Sequence, residues 1–253
     1  MILFQNTMQT KIKSFLASKQ LSPNSEKSYT YDLEQFVAFV GEQVTKEKLA
    51  LYQQSLSDLK VSARKRKVSA VNQFLAFLYE TEVLDRYFKL KVTDKLPTPK
   101  NQTELVDLSS FYEPCQNKVG QLMALLILEL GLTPAEIAEL AVKNIDTNFA
   151  IIRLSKAGMV RILQVPTKLL SLLEEALSGQ ETYLFEHDGR SYSRQWFFNQ
   201  LKAFLAEKGQ DEMTAQRLRE QYILREKAAG KSIMKVSRQL GLKSPITLEK
   251  FYK

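Results

Sequence analysis

The chain has 253 residues, 44% apolar and 25% charged, with a formal net charge of +8. That length suits one large domain or two small ones with real cores, and the composition is that of an ordinary soluble globular protein. A lone cysteine, Cys115, excludes a disulfide framework within the chain, and with a single histidine, His187, there is no Cys/His cluster to hold zinc.

The basic excess is uneven. Residues 214–253 hold 10 Lys and Arg against 3 Asp and Glu, and residues 1–95 hold 15 against 10, while the middle is near neutral or acidic. Two separated basic clusters point toward a polyanionic partner. The longest apolar run, LMALLIL at 122–128, is far too short to span a membrane. The N-terminus lacks the basic and long apolar regions of a secretory signal. No membrane association and a cytoplasmic location are expected.

The first 90 or so residues read as helices. Met8, Ile12, Phe15 and Leu16 fall at helical spacing, as do Tyr29, Leu33, Phe36, Val37 and Val40 in a segment that opens with Ser22-Pro23 and ends near Gly41. A third helix is predicted over 46–59. A fourth, over 62–80, starts with the basic run Arg64-Lys65-Arg66-Lys67 and carries Val68, Val71, Phe74, Leu75 and Leu78. The stretch 91–103 holds two prolines and no apolar periodicity, so it reads as a linker.

Beyond the linker, helices are predicted at 117–130 and 134–142. Residues 149–166 form two β-rich runs around Ala157-Gly158, a hairpin signal. Further helices are predicted near 167–178, 193–207, 213–228 and 231–240, with a last one from Thr247. The expected fold is mainly α: a helical domain at 1–92, a linker at 93–103, and an α-rich mixed domain with a small antiparallel sheet at 104–253. His187 in a polar loop reads as a surface residue, and Trp196 as core.

Conventional catalytic kits are missing: there is no Gly-rich phosphate loop, no His-based triad and no paired histidines. Basic residues and a tyrosine remain. Such a set supports phosphoryl transfer through a covalent phosphotyrosine, with guanidinium groups on the non-bridging oxygens and a lysine as general acid. The bland alternatives stand beside this reading. Arg219 suits a helix-surface ion pair, Lys156 a solvated hairpin lysine, Tyr252 an aromatic cap on the last helix, and residues 64–67 a solvated basic face.

The segment TAQRLREQYILREKAAGKSIMKVSRQLGLKSPITLEKFY at 214–252 resembles the C-terminal signature of the tyrosine recombinases, or phage-integrase family. GLTPAEIAEL at 131–140 resembles a second family motif, and RLSKAGMVRILQVP at 153–166 the family's lysine hairpin. Residues 22–40 and 62–79 are similar to its helical core-binding domain. The resemblance covers nearly the whole chain. It implies a C-shaped clamp on duplex DNA with Tyr252 as nucleophile, Arg219 as transition-state stabiliser and Lys156 as general acid. It implies no metal or nucleotide cofactor, and double-stranded DNA as partner, with another recombinase protomer as a further one. Arg64, Lys65, Arg66 and Lys67 are the implied phosphate contacts of the N-terminal domain.

The sequence departs from the family pattern. Thr133 stands at the first family arginine, Gln216 and Leu242 at two histidines, and Glu220 where another histidine is common. Lys143, Arg153 and Arg161 are the nearby candidates to replace the lost cation. The C-terminus is also short: Lys253 alone follows Tyr252, so the exchange of C-terminal tails between protomers is expected to be missing. Two functions stay open: a recombinase that cuts and rejoins DNA, or a catalytically impaired DNA-binding paralogue that assists or restrains an active one. A helical interaction protein without a nucleic-acid partner is the third, disfavoured by the two basic clusters.

Overall fold

The computed structural model describes residues 3–41, 43–91, 104–156 and 158–253, with the side chains of 3–7 and of Lys156 outside that description. The chain divides into two compact units, Met1–Lys100 and Asn101–Lys253. The expected linker at 93–103 lies outside the described residues.

The first unit is helical: α1 (Leu3–Ala17), α2 (Pro23–Val40), α3 (Lys46–Ser55) and α4 (Val61–Glu80). Side-chain caps start two of them. Ser22 accepts from the Ser25 amide, with Pro23 in the first turn, and Thr45 accepts from the Lys48 amide. The apolar stripes read from spacing meet in one core of Met8, Ile12, Phe15, Leu33, Phe36, Val71, Phe74 and Leu78. Phe15 packs against Phe74 and Phe77, with ring centroids 5.5 Å apart in both pairs.

One charged group is sealed into this core. Asp32 on α2 is fully buried and faces Arg66 and Lys67 of α4. Lys67 Nζ lies 2.9 Å from Asp32 Oδ1, a charge contact without a well-directed hydrogen bond, and donates at 2.6 Å to Gln35 Oε1. A buried carboxylate persists only when paired, so these cations fix how α2 lies on α4.

In the second unit, α5 (Lys118–Leu130) is the central element. Residues 120–128 are all buried, as expected of a helix apolar on every side. Around it run α6 (Pro134–Ala138), strands β1 (Ile145–Asp146), β2 (Ile151–Lys156) and β3 (Met159–Gln164), then α7 (Thr167–Leu177). The short strands β4 (Glu186–His187) and β5 (Arg190–Ser191) follow, then α8 (Arg194–Glu207), α9 (Ala215–Ala228), α10 (Ile233–Gln239) and α11 (Glu249–Tyr252). The larger sheet is antiparallel in the order β1-β2-β3, with Leu154 opposite Arg161.

This is the mainly α architecture with a small antiparallel sheet that the spacing predicts. The helix expected over 134–142 stops at Ala138, because the chain turns there to pair Ala141 with Tyr183. The last helix begins at Glu249, after a 3-10 turn over Pro245–Leu248 capped by Ser244. Trp196 is half-buried and stacks on Tyr192 with ring centroids 3.8 Å apart, and His187 is exposed. Among the described residues no helix is long and apolar enough to cross a membrane.

The Tyr52 hydroxyl is buried without a hydrogen-bond partner among the described residues. Burial first, and the Asp32 charge second, push its pKa up to about 12. The folded state therefore holds this proton more tightly than the unfolded chain, whose value is near 10, and stability falls as pH rises from about 10 to about 12. Tyr52→Phe should change stability by less than about 1 kcal/mol at pH 7, because it removes only an unpaired hydroxyl. Between pH 7 and pH 11 the variant should gain on the native chain by about 1 kcal/mol, whatever the small offset at pH 7. Urea midpoints at the two pH values check this.

Candidate active site

Two arginines meet at the turn that joins α5 to α6. Arg219 lies in the second turn of α9, whose start is capped by Thr214 and whose Leu218 and Tyr222 are buried. Its Nε donates to the Gly131 carbonyl at 2.8 Å and one terminal nitrogen donates to the Leu240 carbonyl at 3.3 Å. Arg161 arrives from β3, donates to the Gln239 carbonyl at 2.8 Å and forms an ion pair with Glu136. Both guanidinium groups are thus held by the same two chain segments, 131–136 and 239–241.

Glu136 and Thr133 form a capping box at the start of α6. The Thr133 amide and hydroxyl both donate to Glu136 Oε2, at 2.8 and 2.9 Å, while Oε1 faces Arg161. The Thr133 hydroxyl also accepts from the Glu136 amide at 3.2 Å. Arg161 and Glu136 side chains are 10% and 11% exposed, so each charge is nearly sealed and satisfied by the other. Gly241 makes room for this, since a Cβ there would lie 2.8 Å from Arg161 Nε. Burial lowers the pKa of Arg219 from its usual value; Glu136 opposes that and Arg161 adds to it. The group stays charged at neutral pH.

Of the three candidates to replace the missing cation, only Arg161 turns inward. Arg153 is exposed on the outer face of the sheet, opposite Ile162, and Lys143 is exposed in a 3-10 turn. The positions that depart from the family pattern have other occupations. Gln216 is exposed and donates to Glu220 at 3.1 Å, and Glu220 also meets Lys250 at 3.5 Å. Leu242 packs on the apolar cluster of Tyr222, Val236, Leu240, Leu248 and Phe251. The roles of Glu136 and Gly241 lie beyond the sequence expectations; the T-x-x-E spacing from Thr133 to Glu136 is the one local signal of them.

Tyr252 is tied back to the main chain by its own hydroxyl. Its hydroxyl donates to the Lys231 carbonyl at 2.9 Å, just past the C-terminal end of α9, and Lys227 Nζ donates to the Phe251 carbonyl at 2.5 Å. Eight residues separate Arg219 from Lys227, about 12 Å of helix rise. Burial, and then Glu226, raise the Tyr252 pKa, so the phenol is kept protonated. Lys156 is the last residue of β2, paired with Met159; its side chain lies outside the described residues. Among the described residues no group of three or more His, Cys, Asp or Glu is placed to hold a metal ion.

The basic run in the first unit is divided. Lys67 is 7% exposed and turned onto Asp32, and Arg66, partly exposed, also reaches Asp32. Arg64 donates to the Ser57 carbonyl at 3.0 Å, and Lys65 is half-buried.

Residues 100–253 match the Phage integrase family, and residues 12–82 match the phage integrase N-terminal SAM-like domain. The chain is 52% identical to "Tyrosine recombinase XerD-like" of Streptococcus agalactiae serotype III and 53% identical to the protein of that description from Streptococcus mutans serotype c. Each comparison covers 97% of this chain and 100% of the relative. Among solved structures, the Tn1549 transposon integrase in complex with transposon right end DNA matches with a TM-score of 0.74 at 11% identity, covering 99% of this chain and 95% of that one. The XerH site-specific recombinase bound to its difH substrate matches at 0.68 and 18%, covering 90% and 76%. The family match covers more than half of the chain and the XerD-like relatives nearly all of it, so the chain belongs to the phage integrase family, the tyrosine recombinases.

Proposed function

We propose that the protein binds duplex DNA through its phosphate backbone and serves DNA recombination, with strand cleavage strongly impaired. The observation that carries this reading is the occupation of Thr133. Both of its donors are engaged by Glu136, where the family resemblance implies a guanidinium facing the phosphate. Leu242 offers no side-chain donor, and Gln216 is turned to Glu220. Losing one preorganised stabiliser of this kind costs about 10²–10³ in rate.

Binding is a separate matter, because phosphate contacts need only accessible cations. Arg219 in the second unit, with Arg64, Lys65 and the exposed part of Arg66 in the first, are the residues to which this reading assigns those contacts. Lys67 has a structural role in it. The solved XerH and Tn1549 proteins of similar fold are bound to DNA, which supports the reading. The second reading is an active recombinase in which Tyr252 attacks the scissile phosphate, Arg219 stabilises the transition state and Lys156 protonates the leaving 5′-oxygen. It is favoured by the partial exposure of Tyr252 on a helix only four residues long.

A duplex selected by the protein from a random pool, then nicked to trap covalent intermediates, separates the two. The expected result is salt-sensitive binding without an adduct. A covalent protein–DNA adduct that disappears in Tyr252→Phe would establish the active enzyme and overturn the impaired reading.

The division of the basic run gives a second measurement. Lys65→Ala should lower the slope of log affinity against log salt by about 0.9, the value of one lost phosphate contact. Lys67→Ala should instead leave Asp32 underpaired and cost about 3 kcal/mol of stability, the scale of a broken buried ion pair. Anisotropy titrations across a salt series and urea melts on both variants check the contrast.

A further inference from the structure

We propose that Arg161 is a positioning residue of the phosphate site: by neutralising Glu136 it leaves the Arg219 guanidinium free for a DNA phosphate. The inference rests on the DNA-binding reading above and assigns a role to a pair outside it.

Two cations and one carboxylate share this corner. Glu136 is nearly buried, and a buried carboxylate must find a partner. Arg161 is tied to it directly and held in place by the Gln239 carbonyl and by the space that Gly241 leaves. Arg219, by contrast, is anchored to two neutral carbonyls, of Gly131 and Leu240, and keeps its whole charge. The corner therefore carries a net charge of about +1, and that charge belongs to Arg219.

Glu136 is also close enough to Arg219 to act on its ionisation. If Arg161 is lost, Arg219 is the cation on which Glu136 already acts. It then serves the carboxylate, the corner becomes neutral, and the phosphate loses its partner although Arg219 is intact. A different role, in which Arg161 itself touches the phosphate, predicts another outcome. In that case, removing the Glu136 charge does not restore what the loss of Arg161 takes away.

The test is a mutant cycle on duplex DNA of mixed sequence, read by anisotropy over a salt series, with thermal melts to monitor folding. Arg219→Ala and Arg161→Met should each weaken binding about tenfold, the scale of one charge-assisted hydrogen bond. Each should lower the salt slope by about 0.9. Adding Glu136→Gln to Arg161→Met should return affinity and slope to within about twofold of the native chain, because the carboxylate no longer competes. A merely structural Arg161 lowers the melting temperature without lowering the salt slope of the folded protein.

An Arg219→Ala variant with unchanged affinity and slope overturns the phosphate reading and this inference with it. A tenfold loss in Arg219→Ala, with no rescue of Arg161→Met by Glu136→Gln, overturns this inference alone. Should Arg161→Met fail to fold, Glu136→Gln by itself carries the test: binding at least as tight as native supports the inference, and weaker binding overturns it.

Discussion

The carboxylate of Glu136 is the constraint on which the second unit's site depends. One oxygen closes the start of α6 through Thr133 and the other holds Arg161 of β3, which in turn grips the carbonyl at the end of α10. Arg219 bonds the carbonyls on either side of this junction, at Gly131 and Leu240. Four elements distant in sequence are thereby tied at one corner by charge and backbone hydrogen bonds. Neither side of the corner can shift without exposing a buried ion, which is why the guanidinium positions are well defined.

The first unit solves a related problem with the same device. Asp32 is sealed between α2 and α4 and draws Arg66 and Lys67 inward. Elsewhere, Glu129 meets Lys168 and Arg225, and Glu226 meets Lys231. A net charge of +8 therefore does not measure the cations that can reach a polyanion. The basic residues that matter for affinity are those left after these internal carboxylates are satisfied, and burial rather than composition selects them.

Helix positions were legible because they follow local spacing and caps: the Ser22-Pro23 start and the Phe74–Leu78 stripe are both signals within one segment. The family motifs marked Arg219 and Tyr252 as site positions in the same way. Pairings across the chain were not legible. Glu136 and Arg161 are 25 residues apart, and Asp32 and Lys67 are 35 apart, so nothing local announces either pair. Asp32 does sit four residues before Phe36, within an apolar stripe, and a charge on a core face is the sign that a partner must come from elsewhere. The shortened helix at Pro134–Ala138 is a similar case, since its end is set by the Ala141–Tyr183 bridge rather than by a breaker in its own sequence.

The position of Tyr252 bears on the proposed separation of binding from cleavage. Its hydroxyl bond to the Lys231 carbonyl contributes about 1 kcal/mol, a modest hold that a competing partner can displace. Phe251, buried in the small apolar cluster, anchors α11 more strongly, and Lys227 secures its carbonyl. To attack a phosphate at Arg219 the tyrosine would have to give up these contacts. A phosphate clamp with several donors facing outward would offset that cost. Here Thr133 is engaged with Glu136 and Leu242 is apolar, so on the proposed reading a phosphate at Arg219 would lack those partners, and the resting place of Tyr252 would be favoured.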